Sequence, residues 1–129
     1  MGAVIIETIP LHGGLCLTLS DQTRHYFGGY YHVRVHVCCD VPLEQSSFSG
    51  EAEYLHALKT MGQQVRFERL LEKMAVPETD IAAVRSRLIS NFRKTGIAYL
   101  AQPDFASRFV RNEFLKRTKS APRTGIARA

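Results

Sequence analysis

The sequence contains no tryptophan and only three cysteines in 129 residues. Three is an odd number, and Cys38 and Cys39 are neighbours whose side chains point to opposite faces of a strand, so a framework of disulfide bonds is not expected. A hairpin could bring Cys16 close to Cys38, but reduced thiols in the cytoplasm are the favoured interpretation. The sequence therefore predicts a cytoplasmic protein that folds around its own hydrophobic core.

Long hydrophobic runs are also absent. No uninterrupted apolar stretch approaches the roughly 18 residues that a membrane-spanning helix needs. At the amino terminus no basic segment precedes the apolar residues, and Glu7 ends their run well short of a signal-peptide core. We therefore expect neither membrane insertion nor secretion by a signal peptide, while peripheral attachment to a membrane stays open.

Sequence motifs of the common enzyme classes are missing as well. The chain has no phosphate-binding glycine loop, no Cys-x-x-Cys pair, no dinucleotide-binding fingerprint and no nucleophile elbow. Because enzymes can assemble active sites from residues that are distant in sequence, these absences lower the expectation of catalysis without excluding it. No cofactor is expected.

The excess positive charge of the chain is concentrated at its carboxyl end. The formal net charge is +5, from 17 basic and 12 acidic residues. An equal number of basic residues balances the acidic ones up to Glu113, and the excess consists of Lys116, Arg117, Lys119, Arg123 and Arg128. We expect a single domain over residues 1–115 and a flexible basic tail over residues 116–129. Such a tail is either a solvated end or a weak, salt-dependent contact with nucleic acid, made through Lys116, Arg117, Lys119 and Arg123.

Alternating apolar residues predict a long β-hairpin over residues 15–41. The alternating positions are Leu15, Leu17 and Leu19 before the turn and Val33, Val35, Val37 and Val41 after it. The glycine pair between them permits either a two-residue loop, Gly28 and Gly29, or a three-residue loop that begins at Phe27 and ends on a left-handed Gly29. We favour the three-residue loop, because it sets Leu19 opposite Val37.

This register places three polar residues, Asp21, Thr23 and His25, on the face of the valines. Three arrangements are compatible with it: a further bulge that turns them outward, strands that extend beyond the core, or a cluster of mutually satisfied polar groups. The three side chains also form the series of an acid, a hydroxyl and a base. Residues two apart on a strand lie about 6 to 7 Å apart and need not be in contact, so an enzyme site here is the third hypothesis for function.

The remaining segments predict an α+β fold, in which an antiparallel sheet built around the long hairpin is packed by two carboxyl-terminal helices. Residues 4–9 are β-branched and predict a strand. Residues 51–61 predict a short helix and residues 64–68 a possible further strand, while the apolar segment that follows is ambiguous. Residues 78–95 and 104–117 carry the apolar stripes of the two packing helices.

Two segments resemble a family of small bacterial proteins that has no assigned activity. One is Asp21-Gln22-Thr23-Arg24 with the glycine turn and the valine-rich strand after it, and the other is Tyr99-Leu100-Ala101-Gln102-Pro103-Asp104-Phe105. The family pattern has serine where this chain has Thr23 and an acidic residue where it has Gly29. The resemblance covers most of the chain and implies a compact bacterial domain, but no catalytic residue. A comparison with cyclic-dinucleotide-binding domains fails, because no arginine precedes Arg24.

A metal site is one hypothesis for the second hairpin strand, on which His32, His36 and Cys38 lie at alternate positions. His32 and His36 are four residues apart, which is about 13 Å on a strand and too far for one ion. His36 and Cys38 alone supply only two ligands. A polar outer face is the simpler interpretation, and no metal is expected.

An interface is the leading hypothesis for the residues around the turn. Tyrosine and arginine are enriched at the centres of protein interfaces, and a two-stranded ribbon is poorly covered without a partner. The residues expected at the contact are Tyr26, Tyr30, Tyr31 and Arg34. The same aromatic run could also stack on single-stranded nucleic acid. The sequence thus predicts a non-catalytic protein-interaction or self-associating domain, with a homodimer or an unknown protein partner, and weak nucleic-acid binding as the alternative.

Overall fold

The computed structural model describes residues 4–120. Within these residues the fold is α+β, with a five-stranded antiparallel sheet and four α-helices. The strands are β1 (Val4–Pro10), β2 (Cys16–Asp21), β3 (Arg24–Phe27), β4 (Tyr30–Pro42) and β5 (Gln64–Pro77). The helices are α1 (Glu51–Met61), α2 (Ile81–Thr95), α3 (Ile97–Leu100) and α4 (Phe105–Ser120). The predicted fold class is confirmed, with the ambiguous segment after residue 68 continuing as strand β5.

The chain forms two compact units. We call the first the hairpin unit; its described residues are 4–39 and 68–102, with β1 to β3, α2, α3 and most of β4 and β5. The second, which we call the α1–α4 unit, contains residues 40–67 and 103–120, with those two helices and the remaining parts of β4 and β5.

The hairpin has the predicted register but a different turn. Strand β2 pairs with β4 so that Leu19 lies opposite Val37, as the alternation predicts. At the tip, however, Phe27 pairs with Tyr30 around a two-residue loop, and the register shifts between His25 and Phe27. The left-handed glycine is Gly28, with φ of 56°, so the prediction of a three-residue loop ending on a left-handed Gly29 is wrong. The extra residue is taken up by a bulge in β3.

One face of the sheet, which we call the valine face, forms the core of the hairpin unit. Its fully buried side chains include Leu17, Leu19, Val33, Val35 and Val37. Helix α2 covers this face, because Val84 packs against Val33 and Val76, with Ile81 and Leu88 at the margin. The helix is also held by two ion pairs to the strands, Arg85 with Asp21 and Arg93 with Glu7.

A left-handed residue in β5 brings Val76 into this core. Ala75 has φ of 53° and is the one non-glycine residue with positive φ among those described. Glu72 is hydrogen-bonded to His32 on the side away from the valines, whereas Val76, four residues further on, packs against Val33, so the alternation of faces must change once between them. A left-handed residue inserted in a strand produces that change. The strain at Ala75 therefore accompanies the burial of Val76.

The α1–α4 unit has an aromatic core. Phe67 contacts Phe105 and Phe109, with ring centroids 5.7 Å apart in each case, and Phe114 contacts Phe48 at 5.4 Å. The two helices are also joined through Glu53 on α1. Its Oε1 accepts hydrogen bonds from the Ser49 backbone N–H and from the Arg111 guanidinium on α4, at 2.9 and 2.8 Å. These two donors, the backbone N–H first, lower the pKa of Glu53.

Candidate functional site

The face of the sheet opposite the valines, which we call the open face, is defined by the pairing of the strands. Arg24 lies opposite His32, and Phe27 lies opposite Tyr30. Residues that face each other across an antiparallel pair point to the same side, and successive residues alternate. Tyr30 and His32 are an odd number of residues from Val33 and therefore lie on the side away from α2.

Strand β5 extends the open face on the other side of β4. The Nε2 atoms of His32 and His36 lie 2.7 Å from the carboxylates of Glu72 and Glu68, respectively. By alternation Leu70, between the two glutamates, and Met74, two residues further on, lie on the same side. On β3, β4 and β5 the open face of the hairpin unit thus includes Arg24, Phe27, Tyr30, His32, Arg34, His36, Glu68, Leu70, Glu72 and Met74.

On β3, β4 and β5, four large apolar side chains of the open face are exposed to solvent. The exposed fractions are 73% for Phe27, 47% for Tyr30, 47% for Met74 and 38% for Leu70. Apolar side chains scattered singly over a surface need no explanation, but several on one sheet face mark a surface that another molecule can cover. The contacts of α2 described above all fall on the valine face and leave these residues uncovered.

Both carboxylates of the open face are paired with basic groups of the same face. Glu72 accepts from His32 and lies 3.7 Å from the guanidinium of Arg34, and Glu68 accepts from His36. His32 is only 7% exposed, because its neighbours surround it, and its hydrogen bond to Glu72 satisfies the buried imidazole. If another molecule covered this face, both carboxylates would still have their partners.

The predicted contact residues fall on two sides of the hairpin. Tyr30 and Arg34 lie on the open face. Tyr31 lies on the side of the valines, where its ring meets that of His25 edge-on at 5.2 Å. Tyr26 lies at the bulge in β3 and is 52% exposed.

The residues considered as metal ligands do not form a metal site. Each histidine is hydrogen-bonded to a glutamate on β5, and Cys38 pairs in register with Thr18 on β2. Within residues 4–120 no group of three or more potential ligands is positioned to hold an ion. No disulfide bond joins Cys16, Cys38 or Cys39.

Asp21 and Thr23 stabilise the interruption between β2 and β3. The Asp21 carboxylate accepts from the Thr23 backbone N–H at 3.0 Å, and the Thr23 hydroxyl accepts from the Arg34 backbone N–H at 3.3 Å. His25 is bonded to the Gly28 carbonyl at 2.6 Å. These groups are satisfied by backbone partners, and β3, which carries His25, is exposed along its whole length, so the structure combines satisfied polar groups with a strand that extends beyond the core. It does not bring an acid, a hydroxyl and a base into mutual contact.

The basic residues near the carboxyl end begin within a helix. Helix α4 continues through Lys116 and Arg117 to Ser120, and Lys116 is paired with Glu113 at 2.9 Å. Lys119 belongs to the same helix. Arg123 and Arg128 lie outside the described residues.

The sequence reasoning missed the residues that β5 contributes to the open face. Glu68, Leu70, Glu72 and Met74 are spaced two apart, which is the signal of a strand. The signal is weak because the intervening residues Arg69, Leu71 and Lys73 are also a mixture of polar and apolar types, so neither set stands out as a buried or an exposed face. Phe27 is not among the predicted contact residues, because the favoured three-residue loop places it in the turn, whereas in the structure it pairs with Tyr30.

Comparisons of the chain with family models, with curated proteins and with solved structures gave no match. Among residues 4–120, no helix has both the length and the apolar character required to span a membrane.

Proposed function

We propose that this protein is a non-catalytic, self-associating domain in which a second copy docks on the open face of the hairpin unit. The observation that carries the proposal is that exposed apolar side chains share this face with two carboxylates that already have partners on it. Burial of apolar area contributes about 25 cal/mol per Å². Phe27, Tyr30, Leu70 and Met74 supply that area, and Arg34 contributes through its ion pair rather than as a free charge.

The charge of the open face favours a second copy as its occupant. With neutral histidines, Arg24 and Arg34 balance Glu68 and Glu72, so two such faces do not repel each other. A surface that holds nucleic acid needs an excess of positive charge, which this face lacks. The neutral, partly apolar character is that of a contact between proteins.

The free edge of β5 is poorly suited to association between copies. If two copies joined their β5 edges about a two-fold axis normal to the sheet, the residues placed opposite each other would lie on the same side of the sheet. Centring two β5 strands on Leu70 then sets Glu68 against Glu72, and centring them on Leu71 sets Arg69 against Lys73. Like charges directly opposite each other are destabilising, and charged side chains on edge strands are a known protection against such pairing. The open face is therefore the better contact surface.

Two substitutions on the open face test the proposal. We expect Phe27→Ser and Met74→Ser each to raise the dissociation constant of the dimer about tenfold or more, as loss of a central apolar contact does. Leu55→Ser is the matched control, because Leu55 is also exposed, at 53%, but lies on α1 in the other unit. Light scattering over a concentration series gives the constants. Equal dissociation constants for the control and the two open-face variants would contradict the proposal.

Nucleic-acid binding through the carboxyl-terminal basic residues is the second candidate, because all of the excess charge lies after Glu113. This function predicts that affinity for a single-stranded oligonucleotide falls steeply with salt and weakens on Lys116→Ser with Arg117→Ser. An enzyme with a site near Asp21, Thr23 and His25 ranks third. A cytoplasmic location, with the cysteines reduced, and a bacterial origin belong to the proposal as well.

A further inference from the structure

Two histidines lie among the contact residues of the open face. Around His32 are Arg24 on β3, Glu72 on β5, and Tyr30 and Arg34 on β4. Both ring contacts to carboxylates are short, at 2.7 Å for His32 and for His36. His32 is therefore held in a fixed position inside the surface that the proposed function assigns to a second copy.

The surroundings of His36 are less enclosed. Ser20 on β2 lies directly opposite it, and Glu68 on β5 is its hydrogen-bonded partner. Along β4 its neighbours on the same face are Arg34 and Cys38. Its side chain is 21% exposed, so protons reach it from solvent.

The formal charge of the open face depends on these two imidazoles. When both are neutral, two arginines and two glutamates give a net charge of zero. When both are protonated, the same face carries two positive charges on each copy. In a dimer whose two open faces meet, these charges lie on opposite sides of one contact and repel each other.

We propose that self-association through the open face is controlled by pH, with His32 and His36 as the sensing groups. This inference rests on the proposed function. Histidine is the side chain that ordinarily changes its charge between pH 5 and 8. In the dimer, the positive charges of the other copy oppose protonation of these histidines, whereas in a separated copy this repulsion is absent. Low pH therefore favours the separated copies, and the dimer is favoured at the alkaline end of this range.

The test compares dissociation constants at about pH 8 and about pH 5.5 in low salt, where repulsion is least screened. For the unmodified chain we expect the constant to rise about tenfold on acidification, from four repulsive pairs acting across the contact. For His32→Gln with His36→Gln we expect less than about a twofold change, because glutamine keeps a hydrogen-bonding group and cannot take up a proton. Circular dichroism at both pH values checks that the fold is retained.

Two further variants keep the test decisive. His12→Gln is the control, since His12 lies in a turn outside the open face and its replacement should leave the full pH effect. His36→Gln alone changes a partly exposed residue and should remove part of the effect even if the double variant does not fold. A dissociation constant that is unchanged or smaller at the acidic pH would overturn the inference while leaving the proposed function intact. A chain that is monomeric at both pH values would overturn both.

Discussion

Ala75 carries backbone strain that glycine would relieve. Its φ of 53° lies in the left-handed region, which costs a residue with a Cβ atom about 1–2 kcal/mol. Glycine removes that cost but loses about 0.5–1 kcal/mol through the greater freedom of the unfolded chain. We expect Ala75→Gly to raise the free energy of unfolding by about 0.5–1 kcal/mol, as measured by urea denaturation. A lower free energy of unfolding would show that the methyl group of Ala75 makes a contact worth more than the strain.

Gly96 is required for a different reason, the proximity of an aromatic ring. A Cβ atom at this position would lie 2.5 Å from the Phe92 ring, and Phe92 is buried. We expect Gly96→Ala to lower the free energy of unfolding by about 1–3 kcal/mol, as overpacking does. Gly29→Ala is the control, because a Cβ atom there meets nothing within 4 Å and the backbone is not left-handed. If both variants unfolded at the same urea concentration, the close contact with Phe92 would not be a constraint.

At the scale of elements, Asp21 joins the break between β2 and β3 to helix α2. One carboxylate oxygen accepts from the Thr23 N–H, and the other lies 3.0 Å from the Arg85 guanidinium. Arg85 depends on this partner, since its buried Nε atom has no hydrogen bond. We expect Asp21→Ala to lower the free energy of unfolding by about 1–3 kcal/mol. Asp21→Asn, which keeps an oxygen for Thr23, should cost clearly less. Equal losses would assign the whole effect to the ion pair.

Glu53 makes the connection between α1 and α4 sensitive to acid. The Ser49 N–H and Arg111 hold the pKa of Glu53 below its ordinary value. A carboxyl group with a lowered pKa in the folded state stabilises the protein above the pKa it has when unfolded, and this contribution is lost as the pH falls through the folded value. We expect Glu53→Gln to be less stable than the unmodified chain near pH 7, with the difference shrinking below about pH 4. Thermal unfolding at a series of pH values measures this, and a difference that is constant with pH would contradict it.

The sequence was sufficient for those elements whose patterns are unambiguous. Leucines and valines at alternate positions determine the register of β2 and β4, because a slip by one residue would expose all of them. The turn could not be determined in the same way, since either glycine of the pair can adopt positive φ and the bulge in β3 absorbs the extra residue. The segment from Leu70 to Val76 was ambiguous because the left-handed Ala75 interrupts its alternation.

The candidate site could be predicted only in part for a related reason. Tyr30 and Arg34 follow from the alternation along β4, and aromatic residues near a turn suggest a contact. The glutamates that neutralise the open face come from β5, and each lies 32 to 40 residues away in sequence from its partners His36, Arg34 and His32. No local pattern shows which strand lies beside β4, so the pairing of charges that makes this face suitable for burial emerges only from the fold.

At the scale of the whole molecule, the account predicts a dimer held mainly by apolar contacts. Interactions between exposed charges weaken as salt screens them, whereas burial of apolar area does not weaken in this way. We expect the dissociation constant to change less than about threefold between low salt and 0.5 M sodium chloride at pH 8. Dissociation on adding salt would instead assign the contact to attraction between exposed charges of the two copies.

The most direct test of the central claim is the mass in solution, measured by sedimentation equilibrium across a concentration series at pH 8. The account predicts a mass that rises with concentration to twice the 14.5 kDa of the chain and returns towards the single-chain value in Phe27→Ser. A mass of one chain at every concentration, or a dimer that Phe27→Ser leaves unchanged, would contradict docking on the open face.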